Sequence, residues 1–155
     1  MTVAGNGAAE RVRELMERIA AAAGVEADVA VSEGADGLHA EFVGDDVGLL
    51  IGHHGQTIDA IQHLAYRFAG RGDRDRVPVL VDAAGYRERR ATTLRAAADQ
   101  AATTAVSDHR AVALEAMSAL ERKVIHEHLK NRRDVETYSE GQEPSRHLVV
   151  APLVD

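Results

Sequence analysis

Apolar residues recur every three or four positions over residues 8–23, which predicts an amphipathic helix ending at Gly24. Residues 25–32 and 38–43 are short apolar segments rich in strand-forming residues. The glycine-containing segment 33–37 lies between them. Two such segments joined by a short turn predict a β-hairpin.

The following residues predict two helices and a third strand. Asp45 can cap a short apolar helix over residues 46–51, and a longer helix comes next. A polar loop at residues 70–73 then leads to a strand over residues 77–81, where Pro78 indicates a start at a sheet edge. The residues of the longer helix that we expect to face the core are Ile58, Ile61, Leu64, Ala65 and Phe68.

The remainder of the chain predicts a second set of elements. A long, alanine-rich helix covers residues 86–106, and a short strand follows at residues 112–114. A helix over residues 118–133 precedes two strands, at residues 135–138 and 147–150. The long helix is the predicted domain boundary.

The composition excludes several kinds of site. The chain has no cysteine, which excludes disulfides, cysteine-ligated zinc and thiol catalysis. Residues 1–7 do not resemble a signal peptide, and no apolar run reaches the roughly 20 residues that span a bilayer. We therefore expect a soluble cytoplasmic protein with no membrane insertion.

Acidic charge is concentrated in the first third of the chain. The net charge of -7 argues against nucleic acid, because phosphate binding depends on local positive charge. However, residues 1–60 carry three arginines and eleven acidic residues, whereas residues 61–155 carry fifteen basic and fourteen acidic residues. The later segments can therefore present basic surfaces.

Two glycines flank two histidines at residues 52–55, between two predicted helices. Glycines let the backbone approach a bulky anion, and the first turn of the next helix favours phosphate. The motif alone is common, but here it lies in a helix–strand–strand–helix–helix–strand order, and so resembles the GxxG loop of the bacterial, type II KH domain. The residues assigned to RNA binding by this resemblance are Ile51, Gly52, His53, His54, Gly55, Gln56 and Thr57.

The resemblance implies that the loop clamps the backbone of about four nucleotides, with the bases in an adjacent apolar groove. KH loops commonly place lysine or arginine between the glycines, whereas histidines are mostly neutral at pH 7. We therefore expect a weaker grip on phosphate that tightens as the pH falls. The alternative, which we favour less, makes His53 and His54 metal ligands together with His63 and Asp59.

Basic residues also cluster on the predicted helix 118–133. At about 100° per residue, five of them fall within an arc of about 100° that contains no acidic residue. A basic surface over a buried apolar stripe suits a phosphate backbone, although a solvated charged face would give the same pattern. The five residues are Arg122, Lys123, His126, Lys130 and Arg133.

The residues around this helix narrow the interpretation. Arg122 and His126 form an Arg-x3-His pair, and a Tyr-Ser-Glu-Gly-x-Glu-Pro turn and an apolar strand led by arginine follow within residues 137–152. This combination resembles the R-3-H domain, which is named for that spacing. Together with the Gly-Tyr-Arg-Glu-Arg-Arg segment at residues 85–90, it makes the chain resemble the Jag family of bacteria, the SpoIIIJ-associated proteins, over roughly residues 9–153.

The Jag resemblance implies binding of single-stranded RNA, with single-stranded DNA also open, and a post-transcriptional role linked to cell-envelope growth. We expect no cofactor and no enzyme activity. His126 could act as a general base in a nuclease, but no nucleophile motif accompanies it. Many members begin with a separate N-terminal Jag domain and linker, neither of which we expect here, so functions of that domain, including recruitment near the membrane, are not carried over to this chain.

Several side chains have two interpretations. Arg146 extends the basic surface of the second domain or pairs with Glu140 or Glu143, and Tyr138 stacks on a base or packs in the core. The arginines of residues 87–90 are interpreted as a solvated helix face in preference to an RNA contact. A second hypothesis for the whole chain is a protein-interaction scaffold, in which the KH fold is a dimerisation surface for a second KH protein or a second copy.

The predicted fold class is α+β. We expect a disordered tail over residues 1–8 and a type II KH domain (αββααβ) over residues 9–83. A connecting helix over residues 84–108 then joins it to a small R-3-H α/β domain over residues 109–155.

Overall fold

The structure is a computed structural model that describes residues 3–70 and 77–154, with side chains from residue 7 onward. The chain divides into two units, Met1–Arg87 and Glu88–Asp155, each with its own apolar core. The predicted polar loop at residues 70–73 lies, apart from Gly70, outside the described residues. In the described part of the chain, no helix is long and apolar enough to cross a membrane.

The first unit has the α-β-β-α-α-β order that the sequence predicts. Its elements are α1 (Val3–Ala22), β1 (Asp28–Gly34), β2 (Gly37–Val43), α2 (Gly48–Ile51), α3 (Gln56–Ala69) and β3 (Val79–Ala83). In the sheet β1-β2-β3, β1 and β2 are antiparallel and β3 runs parallel to β2 at an edge. Pro78 lies just before β3 and accepts a hydrogen bond from the Leu38 N–H (2.9 Å), so the predicted edge position is confirmed.

The core of the first unit lies between one face of the sheet and the helices. From α1, Val12, Met16 and Ala20 are buried at the four-residue spacing of one helix face, and the fully buried Phe42 comes from β2. From α3, the buried residues are Ile58, Ile61, Ala65 and Ala69. The helix therefore presents two isoleucines and two alanines to the core.

The predicted orientation of α3 is wrong at two positions. Leu64 and Phe68 were expected to face inward, but their side chains are exposed. They follow one another at a spacing of four residues and form a second apolar stripe beside the buried one. Ala65, as predicted, and Ala69 face the core, and their small side chains allow α3 to lie close to its neighbours.

Several boundaries of the first unit differ from the predicted ones, and β3 covers Val79–Ala83 where a strand over residues 77–81 was predicted. Helix α1 begins at Val3, within the residues for which a disordered tail was expected, and β1 begins at Asp28, three residues later than predicted. Asp45 does not cap α2, because Val47 precedes that helix and provides no side-chain hydrogen bond. A helix of one turn can form here without a cap because Leu50 is buried in the core.

The second unit packs two helices against a three-stranded sheet. Its elements are α4 (Tyr86–Asp108), whose first two residues belong to the first unit, β4 (Val112–Ala116), α5 (Ala119–Leu129), β5 (Val135–Glu140) and β6 (His147–Pro152). The strands are ordered β4-β6-β5, and both pairs are antiparallel. The side chain of Ser118 caps α5 by accepting a hydrogen bond from the Glu121 N–H (3.3 Å).

Helix α4 supplies much of the second core. Leu94, Ala98, Ala102 and Ala105 are buried there and pack with residues of α5 and the sheet. From residue 88 onward, α4 is thus a core helix of the second unit, where the sequence had indicated only a connection. Alanines at a helix surface allow close packing, and this lets a core with few large side chains form.

Candidate nucleic-acid interface

The segment Gly52–Gly55 connects α2 to α3 through a tight backbone turn. Gly52 and Gly55 have positive φ angles of 74° and 79°, and His54 between them has a φ of 51°. Side chains rarely adopt this left-handed region, whereas glycine enters it without strain. The loop lies between two helices, as the sequence predicted.

Neighbouring side chains explain why glycine occupies both flanking positions. A Cβ atom on Gly52 would lie 2.8 Å from the Cβ of Thr57, and a Cβ atom on Gly55 would lie 2.7 Å from Cε1 of the Tyr86 ring. Gly55 is itself buried, and Tyr86 packs against the first core. The Tyr86 ring, at the start of α4, thus packs directly against Gly55 of the loop.

The two loop histidines stack on each other. Their ring centroids are 3.9 Å apart, with 25° between the ring planes, and His53 is the more exposed of the two. The described residues contain no group of three or more histidine, cysteine or acidic side chains placed to hold a metal ion. Asp59, the fourth ligand in the metal alternative, is instead bound by Arg87 (Oδ1 to Nη1, 3.0 Å). The structure thus provides no support for that alternative.

The other predicted loop residues surround this turn. Ile51 ends α2 and packs partly buried against the first core, whereas Gln56 and Thr57 open α3 with exposed side chains. The first N–H groups of a helix have no partner within the helix. At the start of α3, the Gln56 N–H already donates to the His53 carbonyl, so free backbone donors of this helix are those that follow in its first turn.

Arg87 is not part of a solvated helix face, and that interpretation is wrong for this residue. Its guanidinium donates to the Val81 carbonyl (2.7 Å), to Asp59 (3.0 Å) and to the side-chain oxygen of Gln62 (3.0 Å). Gln62 Oε1 also accepts from the Val81 N–H (3.0 Å). Arg87 therefore fastens α3, the helix that follows the loop, to β3.

The solvated-face interpretation is also wrong for Arg90. Its Nε donates to Glu121 (2.7 Å), and both side chains are largely buried. Both residues lie in the second unit, where the pair joins α4 to the first turn of α5. The charge of Arg90 is therefore paired with Glu121 within the protein.

Arg122, the first residue of the Arg-x3-His pair, is buried. Its guanidinium donates to the carbonyl of Met117 (2.6 Å) and to the Glu143 carboxylate (2.7 Å), with a longer contact to the carbonyl of Arg146 (3.5 Å). Only 8% of its side chain is exposed. Arg122 thus holds the β5–β6 turn against the start of α5, and the prediction that it belongs to a basic surface is wrong.

The predicted basic arc is also interrupted beyond the helix. Helix α5 ends at Leu129, so Lys130 is its C-terminal cap and Arg133 lies past its end. The extrapolation of one helix through residue 133 therefore fails. Lys123 and Arg133 are exposed, and Lys130 forms an exposed ion pair with Glu127 (3.1 Å). The hydrogen bond and charge of Lys130, with a smaller contribution from Lys123, lower the pKa of Glu127 below its usual value.

His126 lies half-buried between α5 and the sheet. Its Nδ1 makes a hydrogen bond with the Thr137 hydroxyl of β5. Successive side chains of a strand point to opposite faces, so Tyr138 lies on the other face of the sheet. Tyr138 is exposed, which rules out the interpretation as a core residue. The aromatic ring and the cations of α5 consequently do not share one surface.

Arg146 is partly buried and donates to the Gly141 carbonyl (2.6 Å). Glu143, one of its two predicted partners, pairs with Arg122, and Glu140 lies 3.7 Å from His147. Arg146 thus stabilises the turn with its side chain, while its carbonyl receives the Met117 N–H (3.2 Å). The β5–β6 turn is fixed by both arginines, a role that the sequence did not reveal.

Two protein-family models match the chain in the order of its two units. The model described as the KhpA/KhpB KH domain matches residues 9–81, and the R-3-H domain model matches residues 92–152. A protein of Bacillus subtilis strain 168, RNA-binding protein KhpB, is 32% identical over 144 residues, which are 92% of this chain and 69% of that relative. The chain belongs to the KhpB (Jag) family. The predicted family and the predicted order of its KH and R-3-H domains are confirmed.

Other KhpB relatives are similar at comparable levels. RNA-binding protein KhpB of Clostridium symbiosum is 35% identical over 144 residues, covering 92% of this chain and 65% of the relative. The KhpB protein of Lactiplantibacillus plantarum strain WCFS1 is 41% identical over 128 residues, covering 83% of this chain and 40% of the relative. The chain thus spans less than two thirds of the length of these two relatives. All three are named as binding proteins and none as an enzyme, in agreement with the prediction for this chain.

Proposed function

We propose that this KhpB-family chain binds single-stranded nucleic acid, chiefly RNA. The observation that carries the proposal is the loop Gly52–Gly55, where a turn with positive φ angles presents two histidines and the first turn of α3. Such a loop allows a sugar-phosphate backbone to approach main-chain N–H groups. The names of the three relatives, all RNA-binding proteins, support the same function.

In the second unit, we assign phosphate contacts to cations on the accessible surface. Lys123, Lys130 and Arg133 are exposed near the C-terminal half of α5, and His126 and Arg146 are partly exposed nearby. Arg122 has the separate role of holding the β5–β6 turn, because its donors are already bonded within the protein. Exposed cations assigned to the ligand and a buried arginine assigned to the turn thus replace the single basic surface that the helical arc predicted.

The wider role that we propose is post-transcriptional regulation in the cytoplasm, linked to growth of the cell envelope. It rests on the likeness to the Jag family, whose curated relatives extend beyond the part that this chain matches. Each proposed binding surface lies within one unit, the loop Gly52–Gly55 in the first and the cations of α5 in the second.

Binding to labelled single-stranded RNA and DNA of about 12 nucleotides tests the proposal, since that length exceeds a KH site of about four. We expect affinity to fall between about 50 and about 200 mM salt. Binding is measured at about pH 8 and at about pH 5.5, since the loop offers imidazoles and no permanent cation. The double variant His53→Gln/His54→Gln should weaken binding while circular dichroism shows an unchanged fold.

A second pair of variants tests the surface of the other unit. Lys123→Ala/Lys130→Ala should reduce the slope of log affinity against log salt by about 1.4, since each lost contact with a single strand reduces it by about 0.7. Arg95→Ala is the matched control, because Arg95 is a largely exposed cation of α4 outside the proposed surface. Absence of binding to either oligomer at every salt concentration and pH would refute the proposed function.

One observation favours the protein-scaffold hypothesis as a second candidate. Leu49 in α2 lies three residues before Gly52 and is 64% exposed, so an apolar side chain is accessible next to the loop. A second copy of the chain could bury this side chain. If sedimentation velocity detects a dimer that Leu49→Ser dissociates, while the wild-type protein binds no RNA, the scaffold replaces RNA binding as the function of the first unit.

A further inference from the structure

An open groove of about 450 Å³ lies between α1 and the C-terminal end of α3, within the first unit. Its lining combines charged and apolar side chains from one face of α1 and the last turn of α3. The described lining residues are Arg11, Glu14, Leu15, Arg18, Arg67 and Phe68. None of these lining residues belongs to the loop Gly52–Gly55, called the GHHG loop below, or to the cations of α5.

The groove collects most of the permanent positive charge in the early part of the chain. Residues 1–70 contain four arginines and no lysine, and three of those arginines line the groove. Glu14 is the one acid among the described lining residues, and it pairs with Arg18 (3.1 Å). The lining therefore keeps a net positive charge in a segment of the chain that is otherwise strongly acidic, and this favours an anionic ligand.

Arg11 fixes the shape of the groove. Its Nε donates to the Phe68 carbonyl (3.1 Å) and its Nη2 to the Ala69 carbonyl (2.6 Å). These carbonyls are among the last of α3, where the helix leaves acceptors without a helical partner. The guanidinium therefore holds α1 against the end of α3, and its charge stays at the groove.

Phe68 gives the groove an aromatic surface. The side chain is 52% exposed, although the other phenylalanine of the chain, Phe42, is fully buried. An aromatic ring beside cations is the combination on which single-stranded nucleic acids bind, with bases stacked on the ring and phosphates at the charges. An acidic peptide would use the arginines but would gain less from the ring.

The groove is separate from the GHHG loop. Phe68 lies thirteen residues after Gly55 on the same helix, which at 1.5 Å per residue corresponds to about 20 Å along α3. A KH loop contacts about four nucleotides. A strand held at the loop would therefore have to be longer than that site to reach the ring.

We infer that the α1–α3 groove is a second contact site for single-stranded RNA, with phosphates at Arg18 and Arg67 and a base stacked on Phe68. The inference rests on the proposed RNA binding and extends it, because it assigns the permanent cations of the KH unit to the ligand. The loop Gly52–Gly55 then fixes the position of the strand, and the groove supplies permanent cations, which the loop does not contain.

The first measurement uses Phe68→Trp, which introduces a tryptophan into a chain that has none. Stacking of a base on the indole should quench its fluorescence when RNA of about 12 nucleotides is added. RNA of about four nucleotides at the loop should leave the signal unchanged, since it is too short to span both sites. Polyglutamate serves as the probe for an acidic peptide.

The second measurement compares affinities of matched variants for the longer RNA. Arg18→Gln/Arg67→Gln should reduce the slope of log affinity against log salt by about 1.4. Phe68→Ala should weaken binding by about 5-fold or more, the loss expected for one stacked base. The controls are Arg13→Gln, an arginine of α1 outside the groove lining, and Leu64→Ala, the other exposed apolar residue of α3; both should bind like wild type.

The possible outcomes separate a failure of the groove site from a failure of the proposed function. If wild type binds RNA and the loop variants weaken it while the groove variants do not, the groove site is refuted and the proposed function stands. A tryptophan signal that responds to polyglutamate and not to RNA would also refute it, in favour of a peptide. If wild type binds no RNA at all, the proposed function and the groove site fail together.

Discussion

Replacing Arg122 should destabilise the second unit. Arg122→Ala removes hydrogen bonds to the Met117 carbonyl (2.6 Å) and to Glu143 (2.7 Å). A hydrogen bond from a charged group contributes about 1.5 to 3 kcal/mol, whereas the pair with the 59% exposed Glu143 resembles a surface ion pair of about 0 to 1 kcal/mol. The contact with the Arg146 carbonyl, at 3.5 Å, adds little. We therefore expect the free energy of unfolding to fall by about 1.5 to 4 kcal/mol.

Amide hydrogen exchange of β6 measures this loss in the unit concerned. Leu148 and Val150 are buried in the second core, so exchange of their amides reports its opening. A single melting temperature for the whole chain would not isolate the effect, because two units need not unfold together. Glu143→Gln is the control, since it removes the ion pair and keeps Arg122; its effect should not exceed about 1 kcal/mol.

RNA affinity distinguishes support of the turn from direct contact with the ligand. If Arg122 acts through the turn, Arg122→Ala should weaken RNA binding in parallel with the loosening of β5 and β6, and Glu143→Gln should have a small effect on both. The reasoning fails if Arg122→Ala leaves exchange in β6 unchanged and still abolishes RNA binding. That result would return Arg122 to the ligand-contacting surface.

Two other predictions concern a glycine and a carboxylate. Gly55→Ala should lower the stability of the first unit by about 1 to 3 kcal/mol in urea denaturation, because a side chain at a φ of 79° is strained and meets Tyr86. Gly48→Ala is the control. Its new Cβ would meet no neighbouring residue within 4 Å, so stability should not fall. The hydrogen bond and charge of Arg132 hold the pKa of Asp134 below its usual value. The interaction between Arg132 and Asp134 therefore stabilises the fold above the unfolded-state pKa of Asp134. This stabilisation is lost as the pH falls through the folded-state pKa. An NMR titration of Asp134 should shift to higher pH in Arg132→Gln, and an unshifted curve would contradict this assignment.

The order of elements could be predicted because each has a local signal. The hairpin around residues 33–37 is bounded by apolar runs, and its existence was predicted, although the strands extend further than expected and pair Gly34 with Gly37 across a two-residue turn. Pro78 has no N–H and correctly indicated an edge strand. The boundaries of α1 and β1 were less accurate, since packing against the rest of the unit decides where an element ends.

The side of α3 that faces the core could not be predicted from periodicity alone. Leu64 and Phe68 form one apolar stripe, and Ala65 and Ala69 lie on the next, one residue further along the helix. Greater hydrophobicity favoured the larger pair, but the structure buries the alanines. Alanine is compatible with either environment, so the choice depends on how closely α1 can approach α3.

The burial of Arg122 had a signal in the sequence that the basic arc concealed. Ile125 and Leu129 lie three and seven residues later, and both are buried. Arg122 therefore belongs to the apolar face of α5, where a cation needs internal acceptors. Glu143, in the turn that follows β5, was the acid available to provide one. The charge of Arg122 suggested an exposed side chain, whereas its position on the apolar face of α5 indicated a buried one.

The number of basic residues in the chain overstates the positive charge that a ligand can use. Arg87, Arg90, Arg122 and Arg132 each pair with an acidic residue and are one third exposed or less. Their guanidinium groups stabilise helix ends, strands and turns, so they contribute little local field at the surface. A protein of net charge -7 can still bind a polyanion, provided that the remaining cations lie together.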